Sequence, residues 1–178
     1  MQSGGPGAVG ESTVMNLYDS LRAKQAAGEP VRVGIIGAGK FASMFLAQAR
    51  VTPGLHIVSV CDLDLGRARE ALERTGSPEE QTKASSFAEA FGKGSTYLTE
   101  DAGALIAADG MEVVVDSTGD PIAGIRHALA SIAANRHIVM VNVEADVLAG
   151  PLLARRAREA GVVYSLAYGD QPALVVEL

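Results

Sequence analysis

Three groups of residues in this sequence could do chemistry. The first is Gly37-Ala38-Gly39-Lys40-Phe41-Ala42, a G-x-G-x-x-A turn between an apolar run and a helical stretch. In such a turn the first glycine permits the tight bend, the second lets an anionic group approach the backbone, and the small sixth residue lets helix pack closely on strand. Unpaired N–H groups and the helix dipole then favour a pyrophosphate. The plainer reading is a strand, turn and helix that happen to use small residues. Asp62 argues against it, because it ends the next apolar run about 20 residues downstream, where a ribose-binding acid belongs. Together these features point to a dinucleotide, with Gly37, Ala38, Gly39, Lys40 and Phe41 at the pyrophosphate and Asp62 at the adenosine ribose. Asp62, with Asp64 nearby, favours NAD, since a 2'-phosphate there meets like charge. Lys40, Arg67 and Arg69 either pair with such a phosphate or form a solvated helix face.

The second group is Asp116-Ser117-Thr118-Gly119-Asp120-Pro121. It closes an apolar run, and Ser117, Thr118 and Gly119 are expected to line the cofactor cleft. Asp120 and Pro121 also suit the start of a helix. The third group comprises Asn142 and Glu144 after another apolar run, and Asp170 in Gly169-Asp170-Gln171-Pro172. Asn142 is expected beside the cofactor, and Glu144 and Asp170 are the candidates for catalysis. A helix-start acid and a turn former are the plainer readings of those two acids. His56, His127 and His137 lack metal-ligand spacing, so neither a metal site nor a Ser-His-Asp triad is expected.

The elements that must position these groups alternate between two periods. Continuous apolar runs at Val31 to Ile36 and His56 to Cys61 read as buried strands, with further strands at Thr96 to Leu98, Glu112 to Asp116, His137 to Val141 and Val162 to Ala167. Between them helical patterns span Phe41 to Arg50, Gly66 to Arg74, Ser86 to Phe91, Glu100 to Ala108, Ile122 to Ala134 and Pro151 to Ala160. Six strands joined by helical crossovers predict an α/β fold with a doubly wound parallel sheet of the Rossmann type. A leading helix and linker are expected over 14–30, where Val14, Leu17, Tyr18 and Leu21 recur at helical spacing as far as Ala27 and Gly28 with Pro30 stops the pattern. Residues 1–13, rich in glycine, are expected to be a disordered tail. The dinucleotide-binding domain takes 31–170, and 171–178 read as the start of a second, absent catalytic or oligomerisation domain.

Composition agrees with this class. The chain has 178 residues, 48% of them apolar, with no Trp, four Phe and four Tyr, so its core must be aliphatic. A net charge of -6 argues against nucleic acid as a partner. A single cysteine, Cys61, suits a reducing compartment. No apolar stretch is long enough for a membrane span and no secretory signal is read, so a cytoplasmic location is expected.

Val31 to Ala42, Asp116 to Pro121, His137 to Gly150 and Tyr164 to Pro172 resemble the amino-terminal domain of the homoserine-dehydrogenase-like oxidoreductases, and within them the deoxyxylulose-phosphate-reductoisomerase-like branch. The most specific stretch is His137 to Asp146. The resemblance implies an NADP(H)-dependent enzyme acting on a small sugar phosphate in isoprenoid-precursor synthesis, with NAD(H) the alternative from the residues themselves. It also implies a homo-oligomer formed through the absent domain. Val143 departs from it, since both homoserine dehydrogenases and ordinary reductoisomerases carry a lysine after the asparagine. Asn142 and Glu144 match the reductoisomerase pattern, and Asp170 resembles the first acid of its metal motif, whereas Pro172 stands where the partner acid belongs. A homoserine-dehydrogenase-like enzyme and a non-catalytic dinucleotide sensor are the rival functions. By itself the chain is expected to bind cofactor without turning over substrate, because hydride transfer needs a second wall to hold the substrate.

Overall fold

The computed structural model describes residues 16–167. The expected tail at 1–13, Asp170 and the segment 171–178 lie outside the described residues.

One six-stranded parallel sheet organises the chain. Its strands are β1 (Val31–Ile36), β2 (Leu55–Cys61), β3 (Tyr97–Thr99), β4 (Val113–Asp116), β5 (His137–Met140) and β6 (Tyr164–Leu166), in the order β3-β2-β1-β4-β5-β6. The order reverses between β1 and β4, where Ile36 pairs with Asp116 and Cys61 lies on the other side of Ile36. Helices leaving the two halves from that point diverge to opposite faces and open a crevice at the carboxyl edge.

Alternation along the strands builds a core on each face. Val33, Ile35, Val60 and Val115 meet α2 (Lys40–Ala49) and α3 (Leu65–Arg74) through Ala42, Leu46, Ala68 and Leu72. Ile36, Val58, Val114, Ile138 and Met140 meet α4 (Phe87–Lys93), α5 (Ala102–Ala107), α6 (Pro121–Ala133) and α7 (Val143–Ala160) through Ala90, Leu105, Ala128 and Leu153. The strands are buried on both sides, which is why they read as unbroken apolar runs.

One expectation needs correction. The last helix begins at Val143, not at Pro151. Asn142 caps it, and Pro151 sits on an exposed turn beside Val147 and Leu148, where water can take over the carbonyl that proline leaves unbonded. The leading helix, α1 (Leu17–Ala27), buries none of its residues, and Leu17 and Tyr18 are exposed despite their helical spacing. It is tied to the amino edge of the sheet by Gln25, whose Oε1 accepts from Gly54 N–H at 2.9 Å. At the other end of the sheet, the Tyr164 hydroxyl donates to Asp146 Oδ1 at 2.7 Å and joins β6 to α7. Between α3 and α4, Glu79–Thr82 forms a 3-10 turn that the sequence pattern did not show.

Candidate functional site

The glycine turn leaves β1 at the point of strand reversal. Gly37 has φ +97°, and a Cβ placed on it would lie 2.8 Å from the Ser117 carbonyl oxygen. Only glycine fits there, because both the left-handed backbone and the approach of the β4 end exclude a side chain. The Ser117 hydroxyl donates to the Gly37 carbonyl at 2.8 Å and locks the two edges together. Gly39 is the opposite case, with φ -76° and nothing within 4 Å of a Cβ placed on it. Nothing in the fold demands glycine at this position, and what it leaves is open space over the start of α2.

That start is chemically distinct. Among the described residues, side chains of Asn16, Asp64, Ser86, Asp101, Asp120 and Asn142 cap the other six α-helices, whereas α2 has no side-chain cap. The N–H groups of Gly39, Lys40 and Phe41 make no hydrogen bond among the described residues. A helix N-terminus left in this state attracts an anion through its free donors and its dipole.

Asp62 faces the turn from the end of β2. Its Oδ2 accepts from Ala38 N–H at 2.7 Å, its Oδ1 accepts from Asp64 N–H at 2.9 Å, and Arg67 stands 3.7 Å away. The carboxylate is thereby oriented while keeping lone pairs for a further donor, such as a ribose hydroxyl. These bonds correct one expectation: Ala38 has given its N–H to Asp62 and is buried, so it supports the turn and does not offer a donor to a ligand.

A cavity of about 360 Å³ opens between these groups, a size within the range of ligand pockets. Gly37, Gly39, Asp62, Ser117 and Thr118 line it as the sequence predicts, joined by Leu63, Arg67, Glu100, Ala102, Asp120, Ala123 and His127. Lys40, Phe41, Gly119, Asn142 and Glu144 do not line it. The Phe41 ring stacks on Phe45 at 6.1 Å, outside the cavity. Glu144 is exposed in the first turn of α7.

Asn142 is the clearest departure from expectation. It is buried, its Oδ1 accepts from Ala145 N–H at 3.1 Å, and its Nδ2 donates to Asp116 Oδ1, Thr118 Oγ1 and the Asp120 carbonyl at 3.3, 3.1 and 2.7 Å. An amide with every polar atom engaged positions the β4 and β5 ends and has none to spare for a cofactor. The sequence reading also passed over a pair that the fold brings together: Asp116, fully buried, accepts from Thr118 and from His127, whose Nδ1 lies 2.6 Å from Asp116 Oδ2. A lone histidine in a helical pattern carries no sign of this, although its spacing of eleven residues from a strand-end acid is what one strand-to-helix connection allows.

This geometry can be set beside known proteins. The chain is similar to biliverdin reductase from Synechocystis sp. PCC 6803, solved with biliverdin and NADP+, at 23% identity and a TM-score of 0.54 over 78% of this chain and 38% of that one. The WlbA dehydrogenase from Bordetella pertussis, solved with NADH and UDP-GlcNAcA, is similar at 15% identity and a TM-score of 0.56, over 83% of this chain and 40% of that one. An NAD-binding oxidoreductase from Klebsiella pneumoniae is similar at 20% identity and a TM-score of 0.53, over 82% and 37%. The chain has the Rossmann fold. It spans well under half the length of each of these oxidoreductases. No family profile matches it, and no curated protein does.

Among the described residues no helix is long and apolar enough to cross a membrane, and no group of three or more His, Cys, Asp or Glu side chains could hold a metal ion. Cys61 also borders the cavity, but burial, and then the charges of Asp62, Asp101 and Glu100, push its thiol up to about 12. The folded chain at pH 8 should therefore react with iodoacetamide at least roughly a hundredfold more slowly than the urea-unfolded chain, because the thiolate is the nucleophile. Mass-spectrometric time courses in the two conditions check this. Replacing Asn142 with Ala removes a helix cap and, with it, the donor to Asp116, Thr118 and the Asp120 carbonyl, so urea denaturation should show a loss of about 2 to 3 kcal/mol.

Proposed function

We propose that this Rossmann domain binds a nicotinamide dinucleotide for an oxidoreductase, and binds NADH more tightly than NADPH. One observation carries the reading: the uncapped start of α2, open above Gly39, faces a carboxylate already oriented by the same turn. Pyrophosphate suits the first and ribose hydroxyls suit the second. The residues therefore fit the group, with Gly39, Lys40 and Phe41 offering backbone donors and Asp62 accepting from the ribose. The nicotinamide supplies hydride when bound, while the chain's own part is to hold and orient it. Solved structures of similar fold that carry NADP+ or NADH support a cofactor of this class.

Charge decides the preference between the two cofactors. Asp62, Glu100 and Asp120 border the cavity and Arg67 is the one cation among its lining residues, already beside Asp62. A 2'-phosphate would enter a site with surplus negative charge. This reverses the NADP(H) preference that the resemblance to the reductoisomerase-like branch implies. The substrate class in our reading, a small sugar phosphate or related carbonyl compound, rests on that resemblance alone, whereas the assignment of Glu144 and Asp170 to catalysis rests on their positions after the last two strands and on the resemblance together. A homoserine-dehydrogenase-like enzyme is the nearest alternative of the same kind. A dinucleotide sensor would use the same cleft without them.

Fluorescence titration with NADH tests the cofactor. Gly39→Val should retain the far-ultraviolet circular dichroism and melting temperature of the unaltered chain and weaken NADH binding at least roughly tenfold, since a Cβ there has no protein atom within 4 Å and the side chain fills the approach to the backbone. Unchanged affinity in that variant would overturn the assignment. Asp62→Ala should raise NADPH affinity relative to NADH by roughly tenfold, the loss of one nearby like charge. A ratio that stays put in parallel titrations would remove the carboxylate from the ribose site.

A further inference from the structure

No residue of β5, α7 or β6 lines the cavity, which is bounded by Ser117, Thr118, Asp120, Ala123 and His127 at the β4 end and the first turns of α6, and which runs from the glycine turn towards the ends of β2 and β3 through Asp62, Leu63, Glu100 and Ala102. If Asp62 takes the adenosine ribose, what lies in this direction is the base and not the nicotinamide. The slot has the features a purine needs. Ala102 and Ala123 keep the starts of α5 and α6 slim, and Leu63, directly after Asp62, is 89% exposed, an apolar side chain without cover at the mouth.

His127 stands in the wall of this slot, and its hydrogen-bonding character is set from behind. A carboxylate can only accept, so Nδ1, 2.6 Å from the fully buried Asp116, carries the proton. Asp116 is itself held by Thr118 N–H, the Thr118 hydroxyl and Asn142 Nδ2, all donors, which leaves it no other role than acceptor. In the neutral ring the other nitrogen, Nε2, is then a lone-pair acceptor. It makes no hydrogen bond among the described residues and keeps exposed surface, on a side chain that lines the cavity. The Glu100 carboxylate is a second acceptor among the lining residues.

We infer that His127 Nε2 is a specificity element that accepts a hydrogen bond from the exocyclic amino group of the cofactor's adenine. An acceptor at this position matches the 6-amino donor of adenine and opposes the 6-oxo acceptor of hypoxanthine or guanine. The inference rests on the dinucleotide reading above but adds a requirement that the reading does not make.

The experiment compares NADH with its hypoxanthine analogue, deamino-NADH, by fluorescence titration of the full chain. One hydrogen bond, together with the cost of facing two acceptors at each other, predicts NADH binding roughly five- to tenfold tighter. His127→Phe should bring that ratio to about one, and His127→Gln, which can still donate to Asp116, controls for loss of the buried partner. The ratio within each variant is the readout, so a general loss of stability does not imitate the effect. A second measurement needs no variant: long-range proton-nitrogen spectra of the unaltered chain should show Nδ1 protonated, and Nε2 should shift on adding AMP but not IMP. Equal affinities for the two dinucleotides, a preference that survives His127→Phe, or a proton found on Nε2 would each overturn the inference while leaving NADH binding intact. Failure of NADH itself to bind would overturn both readings.

Discussion

A carboxylate without solvent cannot be left to itself, and the carboxyl edge of this sheet is arranged around one. Asp116 ends β4 with no exposed surface, and its donors come from the loop that follows it, from α6 and from the cap of α7. Breaking any one of them would leave a buried charge short of a partner, which costs more than the bond itself is worth. The positions of Thr118, His127 and Asn142 are therefore mutually dependent, and so are the elements that carry them. This satisfied network is what makes a cleft floor out of three separate chain segments. The groove above it is shaped by small residues, and its polar character is shaped by where the network leaves an unused atom.

Two kinds of order meet at the glycine turn. Gly37 is dictated by the fold, since the β4 backbone occupies the space where a side chain would go. Gly39 is not, since a Cβ there would meet nothing within 4 Å, and the open space leaves its backbone accessible. The same contrast separates the helix starts: six carry their own caps and one has its donors free. Structural and binding roles can thus be told apart at adjacent positions by asking whether the protein itself satisfies the group.

That distinction also explains which parts were legible in the sequence. The strands were, because burial on both faces makes each an apolar run with a clear end, and the turn after β1 was, because its glycines sit between such a run and a helix. Asp62 followed from spacing along one strand–helix–strand unit. Asn142 was misread because a strand-end amide looks the same whether it faces a ligand or caps a helix; its partners Asp116, Thr118 and Asp120 lie more than twenty residues away. The start of α7 was hidden by Gly150 and Pro151, a pair that locally resembles a boundary. Ala102, Ala123 and His127 carry no signal of their own, and become a slot only when α5 and α6, which follow β3 and β4, pack against each other. The exposed stripe of α1 shows the converse, a periodic pattern that the fold does not bury.

The strand order has a consequence for the chain as it is being made. β1 is central, and it pairs on one side with β2 but on the other with β4, Val33 meeting Val113 eighty positions later. A growing chain can assemble β1, β2 and β3 with α2 and α3 on one face while the other long edge of β1, and the face that α5 and α6 will cover, have nothing to bind. Parallel pairings of this span close late and leave an open edge in the interval. The half that contains the glycine turn and Asp62 thus precedes its partner and waits for it, and synthesis of β4 both pairs the open edge of β1 and supplies the Ser117 hydroxyl that fastens the turn.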